Sequence, residues 1–354
     1  MNDSESKMIR NLRGQRGTII VLVSVFLIII VGLAALTIDF SHRHVVRNEL
    51  QNAVDAAALA GANQLYPPDP DGSNEPRPPD WEAAESTAIA AISDNKSSGV
   101  TLEDVQVQTG YWNLNQSPAG LQSRNITPGN SDVPAVMVLV SRSDGQNTGP
   151  VATFFAFIDS LTVRAEAVAV KGSPGEAKPS ALFPIAISKE IADQMSDHQS
   201  PETAVIIGSS YHYPTSMAGQ WTSLFTGNND VTTMRELIAY GNPETVGVGD
   251  QIWVEPGVKN TLYGDVRDGY KLDGNNIESY IGKTVFLPVV DAILNDETHS
   301  MVTVYSFVGF HITDAVGGAD KYVQGYFTYD NYGGLLTGPG GPNYGVYAPP
   351  VLVN

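Results

Sequence analysis

The sequence predicts an α+β protein: an N-terminal transmembrane helix with a helical extension, a small α+β domain, then a β-rich sandwich- or barrel-like domain. Three observations carry this. Thr18 to Ile38 is uncharged and strongly apolar. The chain then runs on in small residues at helical spacing as far as Ala62. Beyond residue 100, short β-branched and aromatic runs recur between Gly, Pro, Asn and Asp turn signals.

The apolar run has 21 residues, 15 of them Val, Leu, Ile or Phe. As a helix it reaches about 32 Å, enough for a hydrocarbon core of about 30 Å. Those side chains favour insertion by roughly 5–9 kcal/mol. A cleaved signal peptide has a shorter apolar core and a small-x-small site just after it. Here Asp39, Phe40, Ser41 and His42 follow the run, so retention as an anchor is expected. Lys7, Arg10, Arg13 and Arg16 precede it and place residues 1–17 in the cytoplasm by the positive-inside rule. Everything after Asp39 then lies outside, in the periplasm or beyond.

From 39 to 63 the helix is expected to continue. Val46, Leu50, Ala53, Ala57 and Ala60 fall on one face, with Arg43, Arg47, Asn48, Glu49 and Asn52 on much of the other. A face of Ala and Gly lets another element approach closely. That element is either the chain's own downstream domain or another subunit.

Residues 64–80 read as a Pro-rich linker, with Asp69, Asp71, Ser73 and Glu75 as a solvated acidic turn. Asp80 can cap a helix over Trp81 to Ser93. Strands are expected over Val105–Trp112, Val133–Ser141 and Leu161–Lys171, giving a small α+β domain over 81–172. Residues 173–180 read as a second linker. The β-rich domain over 181–354 has strand candidates at Ala181–Ser188, Ala204–Gly208, Gln251–Val254, Thr284–Val290, Met301–Thr313 and Tyr322–Tyr329. Met234 to Tyr240 is its one helical stretch. Asp265 to Asn276 reads as loop, where Asp265, Asp268, Asp273, Asn275 and Asn276 are either turn residues or a cation cluster. The Tyr-, Gly- and Pro-dense tail from Tyr329 to Pro350 either lies across the second domain or offers an exposed adhesive surface.

Composition narrows the chemistry. Net charge is −18, and residues 1–17 carry +2 of it, so the remainder is strongly acidic. That argues against nucleic acid or anionic lipid as a partner of the exposed portion. The absence of Cys excludes disulfides, thiolate catalysis and cysteine-ligated metals. The six histidines, His42, His44, His198, His212, His299 and His311, make no zinc-helix spacing. There is no nucleophile elbow, phosphate loop or dinucleotide fingerprint. No catalytic residue, cofactor or metal is therefore expected.

Arg16-Gly17, the apolar span, Asp39, Leu50-Gln51 and the run Asp55-Ala56-Ala57-Ala58-Leu59-Ala60-Gly61-Ala62 resemble the N-terminal region of the Tad/Flp pilus-assembly proteins of the TadE/TadG-like kind, nearest the TadG side. Thr153-Phe154-Phe155-Ala156 and Val163-Arg164-Ala165-Glu166-Ala167-Val168-Ala169 resemble the segment that closes the first periplasmic region of such proteins. The Asp-x-Ser-x-Ser pattern of a von Willebrand A metal site is absent. Leu22, not Glu, stands five residues after Gly17, so prepilin processing is not expected.

The resemblance implies a membrane-anchored structural or assembly component of a Tad (Flp) pilus apparatus in the bacterial inner membrane. It implies contacts with membrane lipid and with other Tad assembly proteins or pilins. The family-motif and helix-packing residues are Gly17, Asp39, Leu50, Gln51, Ala53, Asp55, Ala57, Ala58, Ala60 and Gly61. Two other readings stay open: a surface adhesin whose β-rich domain grips glycan or a host or cell surface, and an envelope hydrolase built from distant carboxylates.

Overall fold

A computed structural model describes residues 3–67, 78–153, 160–209, 213–214, 217–255, 260–291, 299–331, 333–338 and 341–353. The first linker and its acidic turn lie mostly outside these residues, as do Phe154, Phe155 and Ala156. The fold is α+β, as expected.

Helix α1 runs unbroken from Asp3 to Asn63. It contains no proline, and its last two turns are Ala-rich. Over Ile19 to Ile38 the large apolar side chains are exposed, Ile28 by 70%. The window there has a mean hydropathy of 3.3. Its hydroxyls need no outside partner: Ser24 donates to the Ile20 carbonyl and Thr37 to the Leu33 carbonyl, each at 2.8 Å.

Helix α2 is Trp81–Ser93, started by Asp80, whose Oδ1 accepts from the Ala83 amide at 2.9 Å. Strands β1 (Val105–Asn113), β3 (Asp132–Arg142) and β4 (Val163–Val170) match the expected segments within a few residues, and a short strand that was not expected, β2 (Leu121–Gln122), lies between the first two in sequence. A further strand at the far end of the chain, β15 (Val351–Val353), completes a five-stranded sheet in the order β15-β4-β3-β1-β2.

The chain divides into two compact units. One comprises Met1–Ala56, Ile89–Gln106 and Val138–Ala167. A polar lock holds it. Asn147, 3% exposed, accepts at Oδ1 from the amides of Glu103 and Asp104. Its Nδ2 donates to the carbonyls of Asp104 and Ser141. One side chain thus satisfies four backbone groups, which apolar packing could not do.

The other unit comprises Ala57–Ala88, Val107–Met137 and Val168–Asn354. The stretch read as a second linker contains a strand, β5 (Pro174–Ala177). It is central in a three-stranded sheet, flanked by β9 (Val246–Gly247) and β14 (Leu335–Thr337). Pro174 sits at the first residue of its strand, where a missing N–H is tolerated. Composition therefore misread this segment.

The largest sheet is built from β6 (Ile185–Ser188), β7 (Val205–Ser209), β8 (Ala218–Leu224), β10 (Gln251–Glu255), β11 (Thr284–Val290), β12 (Ser300–Val316) and β13 (Tyr322–Thr328). Pairing runs β6-β11-β12-β13-β7-β8 and returns from β8 to β6, so six strands close into a ring. Closure leaves those strands without a free edge along the paired residues. β10 bridges β8 and β12. Bulges at Thr222/Leu224 and at Ile312/Asp314 bend the strands that must change partners. Phe286, Phe307, Phe310 and Phe327 fill the core.

Helices α3 (Val231–Tyr240) and α4 (Asn260–Asp268) belong to the same unit. α4 covers the start of the segment read as a loop. Its Asn, Thr, Gly and Asp content hides the helix, which exists because Leu262, Tyr263 and Val266 bury one face. Asp265 rides on that helix. Its carboxylate takes a bidentate pair from Arg235 at 2.7 and 2.9 Å, with its side chain 8% exposed. Asp268 pairs instead with Arg267. The cation-cluster reading of these residues therefore falls. No group of three or more metal-ligating side chains occurs among the described residues. Asp265→Ala should destabilise the chain by about 1–3 kcal/mol, because Arg235 loses a partly buried partner. Added calcium should leave the wild-type melting temperature unchanged. A calcium-dependent rise would restore the cation reading.

Of the two readings of the tail, burial favours the packed one: Tyr344, Val346, Tyr347 and Ala348 are buried. Tyr347 stacks on Tyr66 at 3.8 Å, and β15 then pairs with β4 through Val351↔Val170 and Val353↔Val168.

Candidate assembly interface

Each motif residue can now be located on α1. Gly17 lies in its N-terminal part. Leu50, Ala53, Ala57, Ala58 and Gly61 are buried, as is Asp39 at 5% exposure. Gln51, Asp55 and Ala60 are half-buried. The buried stripe also takes in Val46, Val54, Ala62 and Leu65, and Ala60 flanks it. The small-residue face is thus covered by the chain's own residues. Arg43, Arg47, Asn48 and Asn52 are exposed, as their spacing predicted.

Polar motif residues fix the register of the helix. Gln51 Nε2 donates to Asp55 Oδ1 at 2.8 Å, one turn on, and to the Glu166 carbonyl at 3.1 Å. One amide therefore ties the helix both to itself and to β4. Glu49 accepts from the Ser98 amide at 2.7 Å. Gly61 is where the fit is tightest. A Cβ there would stand 2.8 Å from the Ala84 carbonyl oxygen, 2.9 Å from Ala88 Cβ and 3.2 Å from a Val136 methyl. Only glycine permits this approach of α1 to α2.

Spacing arguments missed the end of the helix. Lys171, 1% exposed, donates from Nζ to the carbonyls of Asn63 (2.9 Å) and Tyr66 (3.0 Å). Its ammonium closes carbonyls that the helix terminus leaves open, where a positive charge also suits the helix dipole. Burial pushes its pKa down to about 8. The only hint in the sequence is a lone lysine that ends an apolar strand.

Two cavities were candidates for chemistry. One, of about 370 Å³, is lined by residues such as Phe183, Tyr240 and Phe286 and has no carboxylate in its wall. The other, of about 230 Å³, has Asp132 as its one carboxylate. The Gly129 amide, with Asn113 and Gln122, holds Asp132 below the usual carboxylate range. A single ionised carboxylate committed to three donors cannot supply an acid–base pair.

One helix thus carries an apolar stretch long enough to cross a membrane and runs on into a small-residue face locked by Gln51 and Gly61. Residues 17–64 match the family described as putative Flp pilus-assembly TadE/G-like, and residues 60–169 match the putative Tad-like Flp pilus-assembly family. The two matches meet at Ala60 to Gln64, where α1 ends. No curated protein and no solved structure matches the chain.

Proposed function

We propose that this chain is a single-pass structural component of a bacterial Tad (Flp) pilus-assembly apparatus. It works through helix packing and extracytoplasmic protein contacts rather than by catalysis. Residues 18–38 cross the inner membrane, residues 1–17 stay in the cytoplasm, and the bulk of the chain lies in the periplasm or outside. Its partners are membrane lipid and other Tad assembly proteins or pilins. The domain division we propose is a helical extension over 39–63, a small α+β domain over 81–172 and a β-rich domain over 181–354, with the strand Val351–Val353 returning to the sheet of the small domain.

The observation that carries this reading is one unbroken helix bearing both an exposed apolar sleeve and the buried Leu50–Ala62 motif. The motif's role is to pack the helix that carries the apolar sleeve against the chain's own downstream residues.

The test is genetic. Deletion of the gene in a piliated host should abolish Flp pili, and wild type should restore them. Ala57→Leu overpacks a fully buried site at a cost of about 1–3 kcal/mol and should restore them poorly. Asn48→Leu, on the exposed face, should complement like wild type. Normal piliation in the deletion strain would end the proposal.

A further inference from the structure

Just past the apolar sleeve, α1 presents Phe40, Arg43, His44 and Arg47 at i, i+3, i+4 and i+7, which is one stripe of the helix. All four are exposed, Phe40 by 54%. Among the described residues, neither guanidinium makes an ion pair or hydrogen bond. The nearby carboxylates are otherwise engaged: Glu49 holds the Ser98 amide, and Asp39 is buried with interactions of its own. Two permanent cations thus stand unpaired in a chain of net charge −18, where acidic partners are plentiful.

We propose that this stripe binds the phosphate groups of anionic phospholipids in the leaflet facing the extracytoplasmic body. The inference rests on residues 18–38 crossing the bilayer. Arg43 lies about 7.5 Å and Arg47 about 13 Å beyond Ile38 along the helix axis. The headgroup layer is roughly 5–8 Å thick. Side chains on a helix lean toward its N-terminus, which here is the membrane side, so both guanidinium groups reach back into that layer. Guanidinium offers a planar fork that matches phosphate oxygens. Phe40 continues the apolar sleeve directly below it, an amphipathic arrangement suited to the interface.

Charge complementarity favours lipid as the occupant. The acidic body would be repelled by an anionic leaflet, and cations at the junction offset that repulsion where it is strongest.

The experiment uses the full chain, with phosphatidylglycerol and phosphatidylcholine of identical acyl chains, and counts retained lipids by native mass spectrometry. Lys7, Arg10, Arg13 and Arg16 also attract anionic lipid, so all variants carry Gln at those four positions. In that background phosphatidylglycerol should be retained about tenfold or more over phosphatidylcholine, at about fivefold for each arginine. Adding Arg43→Gln/Arg47→Gln should bring the two lipids near parity. Equal retention without the added pair, or an undiminished preference with it, overturns the proposal; the latter result is also expected if an acidic protein segment occupies the stripe. Failure of the membrane reading looks different: the wild-type chain would leave membranes on alkaline extraction.

Discussion

Gly61→Val lowers the melting temperature of the detergent-solubilised chain by about 3–10 °C, the effect of about 1–3 kcal/mol of overpacking. The same change at Gly32 shifts it by no more than about 1 °C. Both glycines sit in α1, so helix propensity and the cost of a β-branched side chain largely cancel in the comparison. What differs is space. A Cβ at Gly61 runs into the Ala84 carbonyl, Ala88 and Val136, whereas nothing lies within 4 Å of one at Gly32. The Ala84 carbonyl is helix backbone and cannot rotate away as a side-chain end would. Equal melting temperatures for the two variants would mean that α1 and α2 do not meet as described. Differential scanning fluorimetry on both variants decides it.

Lys171→Met costs about 1–3 kcal/mol at neutral pH, because the Asn63 and Tyr66 carbonyls lose the donor that Lys171 supplies. It also changes the pH dependence in a defined direction. The Lys171 ammonium titrates at about 8 when folded, and an unfolded lysine at about 10.4. Between those values the unfolded chain holds more protons, so this group's contribution to stability rises with pH across that window. Below pH 8 both states are protonated and its desolvation penalty is fully present. The advantage of wild type over Lys171→Met should therefore grow from pH 8 to pH 10. Measuring the difference between the two proteins cancels the groups they share. A constant or shrinking difference would show that Lys171 keeps an ordinary lysine pKa in the fold.

The apolar helix and its motif were legible because local rules determine them. Twenty-one uncharged residues are long enough to span a bilayer as a helix, and three- and four-residue steps assign Leu50, Ala53 and Ala57 to one face before any partner is known. Asp80 as a cap and Thr284–Val290 as a strand followed from equally local chemistry.

The misreadings share one cause. Asn260–Asp268 has poor helix formers, and Pro174–Ala177 has the composition of a linker; each takes its form from long-range partners. The sequence left Asp265 as either a turn residue or a cation ligand, and it is Arg235, thirty residues away, that claims both of its oxygens. It left the tail as either packed or adhesive, and the contacts of Tyr347 with Tyr66 and of Val351 with Val170 decide for packing.

The sequence by itself determined that the chain carries an apolar helix long enough to span a bilayer and which residues continue it, because hydropathy and spacing act within one or two helical turns. Only the tertiary structure decided that the small-residue face is covered by the chain itself, that Lys171 closes the helix, and that the C-terminal strand returns to β4. Those outcomes depend on which distant backbone groups need a partner once water is gone, and no local pattern records that.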